Sequence, residues 1–334
     1  MTLQCPIAYY PDARAPLWQA CLERWQPDPE IRRYLQVRAG ACATGQATET
    51  IDVDYGTGGN GKSKFHLAIQ NVLGPYAVVP HKSLLVAQKH EQHDTVKAQL
   101  FRKRLAVAGE TKSHDSLDEE QVKSITGGDR LTARRMREDP WEFDPSHTLI
   151  LFSNYRPRIT GTDEAIWRRV RLVPWTVTIP ELERDEELPA KLRAEAPGIL
   201  AWIVEGAGMF LANGLTVPDS VRAATAQYRS DEDLVGRFVA QMLLIGAGET
   251  PTATIKQAFE EWCSEQGIAK PPRMNDVATA LERAGCKNLG RRRVDGRTLT
   301  LWGGVTMPGG QPVDQGELAG VTPSPPSSVY PYGK

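Results

Sequence analysis

The residues best suited to chemistry form one run, Gly56-Thr57-Gly58-Gly59-Asn60-Gly61-Lys62-Ser63. It matches G-x-x-x-x-G-K-[ST], and the spacing has a physical reason. Glycines let backbone N–H groups curl around a triphosphate without Cβ clashes, Lys62 reaches the β- and γ-phosphates, and the Ser63 hydroxyl ligates Mg²⁺. The run follows a strand-like segment, Thr50–Tyr55, and opens a helix with Phe65, Ala68, Ile69 and Val72 on one face that stops at Gly74-Pro75. The N-terminus of that helix adds a dipole that favours phosphate. Residues 56–63 are therefore expected to bind ATP with Mg²⁺. One detail runs against the pattern. Asp52 and Asp54 alternate with Ile51, Val53 and Tyr55, whereas a central parallel strand is usually near-continuously apolar.

Hydrolysis needs more than a phosphate cradle: an acid to hold Mg²⁺ or polarise water, a polar group at the γ-phosphate, and cationic charge for the transition state. Leu105-Ala106-Val107-Ala108-Gly109-Glu110 reads as a strand ending in one carboxylate, with Glu110 as the acid. Leu149-Ile150-Leu151-Phe152-Ser153-Asn154 reads as a strand ending in an amide that can donate to phosphate or water. Trp167-Arg168-Arg169-Val170-Arg171 sets three guanidiniums ahead of a further strand. An arginine offered to a neighbour's nucleotide can be worth orders of magnitude in rate, and the sequence leaves open which one does so.

These groups need a scaffold. Short apolar runs at 50–55, 105–108, 148–153 and 170–175 alternate with helical or mixed connections, which predicts an α/β fold with a parallel sheet. Ahead of it, residues 1–46 read as a helical lead-in, with Leu17, Trp18, Cys21, Leu22 and Trp25 at helical spacing and a second run opened by Pro27-Asp28-Pro29. Its role is expected to be packing. The acidic stretch 181–187 reads as a solvated face, and Thr216–Ser220 as a linker that leads into a capped helix.

Residues 47–215 thus form the expected ATPase, and 216–303 a smaller domain. Within 231–303 three amphipathic helices precede a hairpin whose Asp295-Gly296 turn is flanked by Arg291, Arg292, Arg293 and Arg297. Three helices and a basic hairpin suggest a winged helix, with Asn275–Ala284 as recognition helix and the arginines on DNA phosphates. From Arg283 to Arg297 there are six basic residues and one acidic. The tail, 304–334, is rich in Gly, Pro and Ser and is expected to be disordered.

Taken together, Gly58 to Ser63, Arg104 to Glu110, Thr126-Gly127-Gly128-Asp129 to Arg134-Arg135-Met136, Ser153-Asn154 and Gly161 to Arg169 resemble the phage and plasmid primase–helicases. That family belongs to the superfamily III helicases within the AAA+ ATPases and also has poxvirus relatives. The resemblance spans about residues 20–300, in five ordered motifs. It implies an AAA+-type, usually hexameric ring that hydrolyses ATP between subunits and translocates on DNA during replication. The N-terminus and the cysteine usage place the chain in the host cytoplasm, and a separate primase is one candidate for a further partner. The resemblance assigns Lys62 and Ser63 to phosphate and Mg²⁺, Glu110 to the Walker B position, Asn154 to a sensor, and Arg168 and Arg169 to the finger pair. It also makes Lys123–Arg137 a DNA-contacting hairpin in the ring channel. Around its Gly127-Gly128-Asp129 turn cluster Lys123, Arg130, Arg134, Arg135 and Arg137. An ATP-assembled origin-binding or helicase-loading protein is the alternative reading.

Composition bounds these expectations. The chain has 334 residues, with Lys+Arg 40 against Asp+Glu 41 and a net charge of −1. That total exerts no global pull on nucleic acid, but local charge does: Lys123–Arg171 holds ten basic residues against seven acidic. Five cysteines with no C-x-x-C pair argue against a disulfide framework or zinc site and for a reducing compartment. Neither a signal peptide nor a membrane-spanning run is evident. The stretch ahead of the ATPase is too short for a catalytic primase, so primer synthesis is not expected of these residues.

Overall fold

The computed structural model describes residues 3–88, 95–109, 111–112, 115–161, 163–268, 271–294 and 296–308. These divide into two compact units, one running to Glu232 and the other from Asp233.

The first unit opens with α1 (Pro16–Trp25) and α2 (Pro29–Thr44). Asp28 caps α2 by accepting from Glu30 N at 2.9 Å, and Gly45 ends it at φ 74°. Then follow β1 (Ile51–Tyr55), α3 (Lys62–Leu73), β2 (Ala77–Val78), β3 (Leu105–Gly109), α4 (Glu119–Ile125), β4 (Leu131–Ala133), β5 (Trp141–Phe143), β6 (Thr148–Ser153), α5 (Glu164–Trp167), β7 (Val170–Pro174), α6 (Leu188–Ala194), α7 (Ala196–Asn213) and α8 (Asp219–Glu232). Five strands form a parallel sheet in the order β2-β3-β6-β1-β7. Alternation along each strand divides two cores. Leu105, Val107, Ile150 and Val173 pack with α1, α2, α3, α6 and α7, while Ala106, Ala108, Leu149, Leu151, Val170 and Leu172 pack with α4, α5 and α8. The expected parallel α/β sheet is present.

Three expectations differ in detail. The helical lead-in is part of this unit: Trp18 stacks on Phe65 at 5.4 Å and meets Trp202 edge-on at 5.3 Å. The stretch expected as a linker leads into α8, which packs on β7 through Thr225 Oγ1, acceptor for Leu172 N at 2.9 Å, so the units divide later than residue 216. Gly127-Gly128 closes α4 (Gly128 φ 81°), and the hairpin β4–β5 turns instead over residues 134–140.

Helix α7 has the length and apolarity of a membrane span, and one face of it packs into the core of the first unit. Its Ile199, Trp202 and Ile203 are buried. Gly40 of α2 and Gly206 of α7 meet so closely that a Cβ on Gly40 would lie 2.1 Å from Ala207 N.

The second unit runs α9 (Leu234–Met242), β8 (Leu244–Pro251), α10 (Thr252–Glu265), α11 (Met274–Arg283), β9 (Lys287–Val294) and β10 (Arg297–Thr306). Its antiparallel sheet has the order β8-β10-β9. Phe238, Phe259 and Trp262 centre the core, with ring centroids 5.0 and 5.9 Å from Phe238. Strand β8 has no clear signature in the sequence, because Gly246 and Gly248 interrupt its pattern and Leu244 and Ile245 are 57% and 43% exposed; pairing with β10 makes it a strand. Within the tail expected to be disordered, Gly304, Val305 and Thr306 belong to β10, and 309–334 lie outside the described residues.

Candidate nucleotide site

The loop between β1 and α3 has the backbone its glycines foretell. Gly58, Gly59 and Gly61 adopt φ of 102°, 63° and 87°, a region other residues enter at a cost. At Gly61 a Cβ would also lie 2.4 Å from the Trp25 ring, so α1 supports the loop from beneath. Lys62 is buried, and its Nζ donates to Gly56 O at 2.7 Å, Asn60 Oδ1 at 3.1 Å and Asn154 Oδ1 at 3.3 Å. Burial pushes the Lys62 amine down to about 8, with the Asp54 charge acting the other way. Asn60 is fixed by donating to Trp175 O at 3.2 Å. Ser63 is exposed at the first turn of α3.

Asn154 reaches this loop because β6 pairs directly with β1. Its neighbour Ser153 is tied to Thr111: the two hydroxyls lie 2.6 Å apart, and Thr111 Oγ1 donates to Tyr155 O at 3.1 Å. Thr111 therefore anchors the chain just beyond β3 beside the end of β6, an arrangement that no motif announces. Glu110 lies outside the described residues, as do Thr162 and Asp295.

A cavity of about 440 Å³ opens on the loop, of a size common for small-molecule sites. Gly58–Lys64 and Phe152, Ser153 and Asn154 form one wall; Leu17, Cys21, Arg24 and Trp25 of α1 and Ile179, Glu183, Arg184, Asp185 and Leu188 complete it. Thus the helical lead-in and the acidic stretch, expected to be packing and solvated surface, both line the site. Arg24 pairs with Glu183. Arg184 sits so close to the loop that a Cβ on Gly59 would lie 2.9 Å from its Nη2. No local signal marks these residues, since only long-range folding brings them together. A buried lysine, a helix N-terminus and an exposed Ser63 form a donor set that suits a triphosphate with its Mg²⁺.

The arginine pair lies elsewhere. Ile51 N, at the start of β1, donates to Arg169 O at 2.8 Å, so the pair sits at the end of β1 opposite the loop, about 16 Å away for five residues at about 3.3 Å each. Arg168 is exposed. Arg169 folds back on α5, donating from Nη1 to Ala165 O at 2.7 Å.

The expected DNA-contacting cations divide into paired and open ones. Lys123 bonds Asp163 at 3.1 Å, and Arg130 bonds Asp144 at 3.1 Å. Arg135 lies over Trp141 at 5.1 Å and 3.5 Å from Glu138, while Arg134 is exposed near the tip. Met136, in the same turn, is 79% exposed. In the second unit Arg292 pairs with Glu249 at 3.1 Å, whereas Arg291, Arg293 and Arg297 are exposed.

The chain is an α/β protein with a five-stranded parallel sheet, consistent with a P-loop-like α/β fold, and it carries a glycine loop and a buried lysine at the carboxyl end of β1. Residues 55–169 match a family model described as a family of unknown function, DUF5906. Among curated relatives, "Putative helicase L207/L206" of Acanthamoeba polyphaga mimivirus is 24% identical over 77% of this chain and 29% of its own length. "Putative helicase 022R" of Frog virus 3 is 28% identical over 81% of this chain and 30% of its own. The chain therefore spans about 30% of the length of these relatives. Among solved structures, an apo form of the NrS-1 C terminal region superposes with a TM-score of 0.54 over 89% of this chain and 77% of that one, at 12% identity. That likeness is one of fold. The chain is thus similar to viral proteins named as helicases.

Proposed function

We propose that this chain is the motor part of a replicative DNA helicase, an ATPase that works as a ring, hexameric by resemblance, with sites between subunits. The observation that carries this reading is the arrangement along β1. Lys62 and Asn154 converge at one end, and the exposed Arg168 stands at the other. A guanidinium so far from its own loop can serve a nucleotide only on a neighbouring copy.

Lys62 would hold the β- and γ-phosphates, the loop N–H groups would cradle them, and Ser63 with Glu110 would hold Mg²⁺, which when bound neutralises phosphate charge. Asn154 orients water or the γ-phosphate, and Glu110 accepts the proton as a water oxygen bonds to phosphorus and the bond to the ADP oxygen breaks. Arg134, Arg135 and Met136 at the β4–β5 turn would meet single-stranded DNA. The second unit, read as a winged helix, would place Arg291, Arg293 and Arg297 on phosphates.

The test is DNA-stimulated ATPase and strand displacement by the full chain. Lys62→Ala is expected to abolish nucleotide binding and turnover, and Glu110→Gln to abolish turnover while still binding ATP. Turnover and DNA binding without strand displacement would favour the loading protein instead.

A further inference from the structure

We propose that Tyr34 and Arg171 are positioning residues that hold the arginine end of β7 in register with the phosphate loop, through a chain of buried polar groups. The inference rests on the reading that Arg168 serves a neighbour's nucleotide.

The chain begins with the two aspartates that interrupt β1. Asp52 and Asp54 are 2% and 0% exposed, on the face covered by α2 and α3. Arg38 of α2, also buried, clamps them: Nη1 donates to Asp52 Oδ2 at 2.9 Å and to Asp54 Oδ1 at 2.7 Å, and Nη2 to Asp54 Oδ2 at 2.8 Å. Toward the loop, His66 Nε2 lies 2.8 Å from Asp54 Oδ2. His66 is one helical turn beyond Lys62 on α3, and Asp54 is two residues ahead of Gly56. Toward the edge strand, Tyr34 OH donates to Asp52 Oδ2 at 2.6 Å and accepts from Arg171 Nη1 at 3.4 Å. Arg171 lies beside Asp52 in the β1–β7 register and two residues beyond Arg169.

Stability alone does not explain such a chain, since well-packed apolar residues often match or exceed a buried ion pair. What it supplies is direction. The planar Arg38 fork fixes α2 against β1 in rotation as well as distance. His66 fixes α3 to the same carboxylate, and the Tyr34 hydroxyl carries the linkage to β7. The two halves of one composite site, the loop in one copy and the arginine given to the next, are thereby set from a single rigid group.

Tyr34→Phe removes one hydroxyl and leaves the ring. Measured on the full chain, it is expected to leave nucleotide Kd unchanged and lower ATPase kcat about tenfold, the scale of a small misplacement of a catalytic group. The deciding readout is a double-mutant cycle with Arg168→Ala. Once Arg168 is gone, Tyr34→Phe should cost nothing further, and Arg171→Leu should repeat the pattern. A Tyr34→Phe loss that persists in full in the Arg168→Ala background would overturn the inference and leave the arginine reading standing, as would an unchanged kcat. An Arg168→Ala protein of normal kcat would overturn both.

Discussion

At the carboxyl end of β1 Lys62 is buried and held by three acceptors on the loop and on β6. At the amino end Arg168 is exposed, and its neighbour Arg169 is bound to the carbonyl of Ala165. One end thus holds its cation within the chain, while the other presents charge outward. On the proposed reading the site is half built in one copy: the loop would hold the nucleotide, and the exposed arginine would act only on a neighbour. The contrast also separates two arginines that look equivalent in Arg168-Arg169. A group already engaged by a helix carbonyl has fewer donors left for a phosphate.

Removing each arginine in turn separates the two roles. Arg168→Ala is expected to lower ATPase kcat by about 10³- to 10⁵-fold with little change in nucleotide Kd, in keeping with arginines supplied in trans. Arg169→Ala should act mainly on stability, because it frees the Ala165 carbonyl, with a cost of about 1 kcal/mol. Steady-state ATPase paired with thermal unfolding decides between them. If Arg169→Ala is the variant that loses kcat, the exposed guanidinium is the wrong choice.

How far these ends are legible in the sequence depends on how local their chemistry is. The loop can be read because its glycines, lysine and serine act within eight consecutive residues, and Asn154 because a strand end marks it. The cavity wall from α1 and from 179–188 cannot be read, since Trp25 meets Gly61, and Arg184 meets Gly59, only through long-range packing. Asp52 and Asp54 are visible as a departure from the apolar pattern, but nothing local names Arg38 and His66 as their partners. Burial alone would push the Asp54 carboxyl up; the Arg38 fork and His66 outweigh it and hold the group below the usual carboxylate range. The Gly127-Gly128 pair signals a turn but does not say of which kind, because a helix stop and a hairpin turn draw on the same residues.

The same division between paired and open cations applies to the basic surfaces, with smaller effects. Arg292 is paired with Glu249, whereas Arg291, Arg293 and Arg297 are exposed. Replacing all three open arginines by Ala should flatten the dependence of log K for DNA on log salt by about 2–3, near one for each phosphate no longer neutralised. Arg292→Ala should change it by less than about 1. DNA titrations by fluorescence anisotropy at several salt concentrations measure this directly, and equal slopes for the two variants would remove the distinction.

The smallest expected effect tests the loop end through its own ionisation. Burial holds the Lys62 amine at about 8, so the free protein carries this charge at pH 7 and loses it as pH rises through about 8. Phosphates prefer the protonated amine, which places its value higher in the complex than in the free protein. The sign follows: nucleotide affinity is level below about pH 7, falls above about pH 8 by at most tenfold per unit, and levels again above the value in the complex. Binding near pH 8.5 should therefore take up protons, seen by calorimetry as an apparent enthalpy that varies with the ionisation enthalpy of the buffer. Lys62→Arg, always charged, should weaken binding by changing the geometry and also abolish the proton uptake. Uptake that survives in Lys62→Arg would assign the titration to another group and leave the buried amine without its proposed part in binding.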